Sequence, residues 1–191
     1  MLEEFRLFIE AWRKVANSKG HGCIPSRDDI NLEDFGRFLR RSMIVYWDFD
    51  IPDLFILFSG TDMKDFFILD ERGSALRGFF DNPHMLARHA EVAQRITTDL
   101  LAAEMTSEIT VADGGRMVFS QLRLPLEPEN GFPVVLALFH MEEFPREPTV
   151  ETQNAGVKII EHRFIQLFDD EGLVDIETAP DFWFEPQRTL N

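Results

Sequence analysis

The sequence has one cysteine and one tyrosine, and no uncharged apolar run that approaches the ~18–20 residues needed to span a bilayer. The lone Cys23 cannot close an intramolecular disulfide and cannot supply a paired-cysteine metal or redox site. Positive charge is also scarce: 19 Lys and Arg stand against 34 Asp and Glu, a formal charge of −15. Nucleic acid, which needs a basic face for its phosphates, is excluded as a partner, and docking on an anionic membrane surface is disfavoured. The usual signatures of catalysis are missing: there is no GxxxxGK(S/T) phosphate loop, no GxGxxG after a strand, no HExxH and no GxSxG. Of the five histidines, His84 and His89 share a helix but lie about 140° apart around it, so they do not form a shared-face metal pair. Glu3, Glu4 and Glu10 interrupt the first apolar residues, unlike a signal peptide. A cytoplasmic protein with no metal, no cofactor and no catalytic residue is the expectation.

What is present is enough to fill a core. The 191 residues are 45% hydrophobic and 12% aromatic, with 19 Phe, which suits one domain and an appendage. Acidity is concentrated at one end, where residues 141–191 hold 4 basic and 12 acidic side chains. The Pro-rich stretch Phe144-Pro145-Arg146-Glu147-Pro148 opens that segment. The organisation read from this is a flanking helix over residues 1–22, a domain over 23–144 and an acidic extension over 145–191. Residues 163–168 and 173–176 of the extension should form a hairpin on the core, turning at Asp169-Asp170-Glu171-Gly172. Its excess charge makes the extension the segment suited to a basic partner.

Periodicity places the elements. Phe5, Phe8, Ile9, Trp12, Val15 and Ala16 form one stripe of an amphipathic helix that ends at Gly20. Asn31 can cap a second helix with Leu32, Phe35, Phe38 and Leu39 inside. Residues 43–49 and 54–59 should pair as a hairpin about Asp50-Ile51-Pro52-Asp53. Residues 62–82 read as short helical turns punctuated by Gly73 and Gly78. Pro83 suits the first position of a long helix that runs to about Glu104, with Met85, His89, Val92, Ala93, Ile96, Leu100 and Leu101 on its buried stripe. Strands over 107–112, 117–124 and 132–141 follow, the first two joined at Asp113-Gly114-Gly115-Arg116 and the last two through residues 125–131. Runs of strands separated by helices, without βαβ alternation, mean an α+β fold with an antiparallel sheet.

This element order, with Ile24-Pro25-Ser26-Arg27-Asp28-Asp29-Ile30 before an apolar helix, resembles a bacterial PAS-like domain family. Gly60-Thr61 at a strand end, the Gly73 to Gly78 segment, Gly114-Gly115-Arg116 and Leu122-Arg123-Leu124-Pro125-Leu126 carry the same resemblance, which spans roughly residues 8–141. Leu57 stands near a position where that family often has Arg, and the Gly73 segment lacks its usual Arg-Asp-Leu-Thr interior. The resemblance implies a five-stranded antiparallel sheet with helices on one side and a ligand cavity, while the ligand chemistry does not carry over.

Within such a cavity Phe58, Phe66, Phe67, Met85, His89, Phe119 and Phe139 are the candidate lining. His89 is also where the resemblance would place a haem ligand, although a hydrogen-bonded core histidine accounts for it. Phe5, Phe8 and Trp12 on the first helix, and Phe182 and Trp183 near the end, are candidate interaction residues. The function these imply is a non-enzymatic sensory or interaction domain, homodimeric, that binds a small apolar ligand or a partner. The 50 residues after Met141 are too few for an output enzyme, and the expectation is that any signal passes by contact to another protein. The alternative is an enzyme on an NTF2-like cone, with His89 or His140 beside a carboxylate in an open pocket.

Overall fold

A computed structural model describes residues 1–20, 22–48, 53–67, 83–110, 116–141, 156–168 and 175–178. His21, the 50–52 turn, the Gly73 to Gly78 segment, Asp113 to Gly115, the 144–148 junction, the 169–172 turn, Phe182 and Trp183 lie outside the described residues. The elements are α1 Glu3–Lys19, α2 Leu32–Leu39, β1 Ser42–Asp48, β2 Asp53–Ser59, α3 Thr61–Phe67, α4 Pro83–Asp99, β3 Leu101–Thr110, β4 Arg116–Glu129, β5 Phe132–His140, β6 Gly156–Gln166 and β7 Asp175–Thr178.

The strands form one antiparallel sheet in the order β2-β1-β5-β4-β3-β6-β7. The expected five strands are its first five. The extension supplies the other two: β6 pairs along the whole of β3, and β7 pairs with β6. An unpaired β3 would have left a long row of backbone donors and acceptors open to other chains. The extension therefore closes an edge of the domain, and the half-buried ion pair of Arg163 with Glu104 (2.5 Å) ties it across.

Helices cover both faces of the sheet, not one side. Val92, Ala93 and Ile96 of α4 pack on Met43, Val45 and Trp47 of β1, Val135, Ala137 and Phe139 of β5, Phe119 of β4 and Ala103 and Met105 of β3. The opposite face carries Ile44, Leu122, Leu124, Leu126, Val134, Leu136 and Leu138 beneath α1 and α2. Because both faces are covered, β5 is buried from Pro133 to Phe139 and reads as an unbroken apolar run, without alternation.

The physical cause is the α1 stripe. All six of its expected inner residues are buried. Trp12 Nε1 donates to the Pro125 carbonyl (2.8 Å), and the Arg13 guanidinium donates to the carbonyls of Leu167 (2.8 Å) and Gln166 (3.1 Å). Phe8 meets Phe35 and Phe38 of α2 edge-on, with ring centroids 5.8 and 5.1 Å apart. Helix α1 is thus part of the core and bridges β4 to the end of β6. The interaction reading for Phe5, Phe8 and Trp12 is corrected accordingly: all three are fully buried against the chain's own sheet.

The Ile24 to Ile30 motif is an anchor. Arg27–Asp29 forms a single 3-10 turn in which the Asp29 carboxylate accepts from the Ser26 amide (2.7 Å) and from its hydroxyl (2.5 Å). The Lys19 ammonium, then the Ser26 hydroxyl and amide, hold the Asp29 carboxyl down at about 2. The Glu127 amide donates to the Pro25 carbonyl (2.9 Å), which fastens this turn to β4. Asn31 then caps α2, its side-chain oxygen accepting from the Asp34 amide (3.0 Å). Leu32, expected inside, is exposed, while Phe35 and Phe38 are buried.

Several boundaries differ from expectation: β6 starts at Gly156 instead of 163, and β7 is Asp175–Thr178 instead of 173–176. Helix α4 stops at Asp99, and Leu100 takes a left-handed φ of 56°, after which β3 begins at once. Residues 101–104 favour helix locally, but as strand they gain pairing with β6 and, from Ala103, with β4. Strand β4 continues through Pro125 to Glu129, so the β4–β5 turn is only Asn130-Gly131, both with positive φ as a tight hairpin requires. Pro125 is tolerated because pairing with β3 ends at Arg123, which leaves one side of β4 free of the sheet ladder.

Candidate functional site

The site lies where α4 crosses the sheet. In β4 the residues alternate: Leu122 and Leu124 face α1, so Phe119, Gln121 and Arg123 face α4. Across the ladder, Phe119 pairs with Ser107, Gln121 with Met105 and Arg123 with Ala103, which puts Ser107 on the same face. His89 projects from α4 at the start of the apolar series Val92, Ala93, Ile96. His89, Ser107, Gln121 and Arg123 are thereby gathered inside an otherwise hydrocarbon and aromatic layer, each at least nine-tenths buried.

Three of the four are linked. Arg123 Nε donates to Gln121 Oε1 (3.1 Å), and an Arg123 Nη2 sits 2.5 Å from His89 Nδ1. A guanidinium has no acceptor to offer, so Nδ1 must be the acceptor and His89 is the neutral tautomer protonated on Nε2. Burial, and next the Arg123 charge, push the His89 ring well below its ordinary 6.5. Burial also lowers Arg123, to about 9, which leaves it charged at neutral pH. The Trp47 ring lies nearly parallel to the His89 ring, 6.3 Å away with 23° between planes. The Ser107 hydroxyl is buried with no hydrogen-bond partner among the described residues.

A pH dependence follows with a definite sign. The unfolded chain takes up a proton at His89 below pH 6.5 and the folded chain does not, so this contribution to stability is intact above pH 6.5 and is lost as pH falls. The expected loss is about 1.4 kcal/mol per pH unit until the folded pKa is reached. His89→Gln keeps an acceptor for Arg123 but cannot titrate. Between pH 6.5 and 5.5, where the unfolded ring is only part protonated, urea unfolding should show a loss smaller by about 1 kcal/mol for the variant, and equal losses would count against a buried neutral His89.

Of the expected cavity lining, His89, Phe119 and Phe139 come together on this face, the two Phe rings 5.8 Å apart. Phe58 does not: it pairs with Ile44 and packs on the α1 side, because the β1–β2 register shifts between Ile44 and Val45. Phe66 and Phe67 lie in α3 and Met85 in α4, with side chains outside the described residues. Arg123, Gln121, Ser107 and Trp47 were not among the expected residues. The available signal was Gln121 and Arg123 alternating with Leu122 and Leu124, which reads as a solvent face unless the sheet is covered on both sides.

A histidine beside a carboxylate does occur, away from this layer. His140 Nδ1 is 3.0 Å from Glu4 Oε2, and Glu4 is shared with Arg41. The trio joins the first turn of α1 to β5 and to the residue preceding β1, and Phe5 meets the His140 ring edge-on. Beside His89 stands a guanidinium instead. Cys23 is half-buried, its Sγ 3.7 Å from the Lys19 carbonyl. Among the described residues no group of three His, Cys, Asp or Glu is placed to hold a metal, and no helix is long and apolar enough to cross a membrane.

A family model described as PAS domain matches residues 3–138. No curated protein and no solved structure matches the chain.

Proposed function

We propose that this chain, which belongs to the PAS domain family, is a non-enzymatic sensory module that holds a small molecule between α4 and the sheet. The observation that carries the reading is the buried polar set His89, Ser107, Gln121 and Arg123 inside an apolar layer. A few convergent polar groups in hydrocarbon surroundings are the usual form of a small-molecule site. Arg123 is a cation beside His89, and a neutral ring next to a cation is a poor proton acceptor, which supports a non-enzymatic role.

Occupancy is relayed by contact with an output protein or a second copy. Helix α4 is the moving part in this reading, because it covers the polar set on one side and passes directly into β3 at Leu100. The α1 stripe is spent on the core, so any homodimer uses other surfaces, and the acidic segment after residue 141 is the natural site for a basic partner. The cytoplasm is the proposed location.

Thermal denaturation across a library of small metabolites tests the reading. A ligand at about 100 times its Kd stabilises the fold by about 2.7 kcal/mol, which for a chain of this size raises Tm by roughly 5–10 °C. The same ligand should move the amide resonances of α4 and β4. A strictly monomeric protein that no library member stabilises would overturn the proposal.

A further inference from the structure

We infer that the ligand is a monoanion, a carboxylate on a small apolar or aromatic body, and that Arg123 is its receptor. This deepens the sensory reading and rests on it.

Three observations meet here. Arg123 is only 8% exposed, and its hydrogen bonds go to Gln121 and His89, both neutral. No carboxylate among the described residues pairs with it. Four other arginines meet acids, Arg41 with Glu4, Arg40 with Asp62, Arg27 with Glu129 and Arg163 with Glu104, while Arg13 meets two backbone carbonyls. Removing a guanidinium from water costs several kcal/mol unless an anion meets it, so Arg123 is half of a buried ion pair.

Its remaining N–H donors set the shape of the missing half. A guanidinium presents donors in a planar fork that suits the two oxygens of a carboxylate. Nε and one Nη2 hydrogen are committed to Gln121 and His89, an arrangement that fixes the plane of the fork. One cation balances one negative charge, which favours a carboxylate over a dianionic phosphate. The second polar group is the Ser107 hydroxyl, buried on the same sheet face with no partner among the described residues. It stands opposite Phe119, four residues along β4 from Arg123, on the face that the ligand would occupy.

The third observation is what surrounds these groups. Trp47, Met105, Phe119, Phe139 and Phe164 belong to the same buried, largely apolar cluster. Such walls reward an apolar body and penalise further charge on it. His89 holds Arg123 in place and is a positioning residue in this scheme.

Matched pairs of probes separate charge from shape: benzoate against benzamide, and hexanoate against hexanamide. Titrated into 15N-labelled protein, the two acids should shift the Arg123 Nε–Hε signal saturably and raise Tm, with the amides at least tenfold weaker. Arg123→Lys keeps the charge without the fork and should weaken the acids at least tenfold. If Arg123→Lys fails to fold, the comparison of acids with amides on the native protein, read at the Arg123 Nε–Hε signal, keeps the test decisive. Acids and amides binding alike, or the Arg123→Lys variant and native protein binding alike, would overturn the carboxylate inference and leave small-molecule sensing standing. If none of the four probes moves any α4 or β4 resonance, the carboxylate inference falls, and the sensory reading stands or falls separately on the metabolite library.

Discussion

Gly60→Ala is expected to destabilise the fold by at least about 3 kcal/mol, the upper end for an ordinary single substitution. For a chain of this size, thermal denaturation should show Tm lowered by roughly 6–12 °C. The reason is space. Gly60 links β2 to α3, with its amide donating to the Ser42 carbonyl (2.8 Å) and the nearby amide of Asp62 donating to the Arg40 carbonyl (3.0 Å). A Cβ there would stand 2.1 Å from the Leu39 carbonyl oxygen and 2.3 Å from that of Arg40. Both obstacles are backbone at the end of α2, so neither can rotate away. Gly131→Ala is the contrasting control. Its φ is +83° with nothing within 4 Å of the added carbon, so only the left-handed conformation is penalised, by about 1–2 kcal/mol. Equal losses at the two glycines would show that close approach is not what Gly60 provides.

Trp12→Ala is expected to cost about 3–5 kcal/mol, through lost burial and the cavity left behind. Trp12 is fully buried, its ring meets Phe168 with centroids 5.5 Å apart, and its Nε1 satisfies the Pro125 carbonyl. Trp12→Phe retains most of the packing and strands that carbonyl, so about 1–3 kcal/mol is expected from it. Urea unfolding followed by far-UV circular dichroism gives both values. Because Phe168 follows β6 and Arg13 holds its end, the alanine variant should also exchange β6 amides faster than β5 amides, relative to the native protein. Unchanged β6 exchange would mean that α1 does not secure the extension.

The two substitutions bear on the same architectural point. Gly60 lets α2 seat against the β2–α3 junction, and Trp12 seats α1 over β4, so both keep the second face of the sheet covered. That covering buries Leu122, Leu124 and Leu126, while α4 buries Gln121 and Arg123 on the other face. A lone β-sheet with α4 on one side would leave Leu122, Leu124 and Leu126 in water.

Some of this was legible from residue order. The α1 stripe, the Asn31 cap and the β3–β4–β5 succession follow from spacing and local chemistry, which act within a few residues. The α4 terminus was not legible, because Leu100 adopts a left-handed backbone without being Gly, Asn or Asp. Nor was the side taken by Phe58, which depends on a register shift against β1. His89 could be singled out as polar on an apolar helix stripe, but its partner could not, since Arg123 lies 34 residues away.

Element types, the antiparallel α+β class, the family resemblance and the acidic end are all written into residue order, because periodicity, turn residues and composition are local properties. Packing between distant segments is what makes β6 and β7 extend the sheet, brings α1 into the core, and gathers His89, Ser107, Gln121 and Arg123 in one buried layer. An alternating strand specifies which residues lie on a common face and says nothing about what covers that face. Here both faces are covered, so a guanidinium that alternation would send to water is held in the interior beside a neutral imidazole.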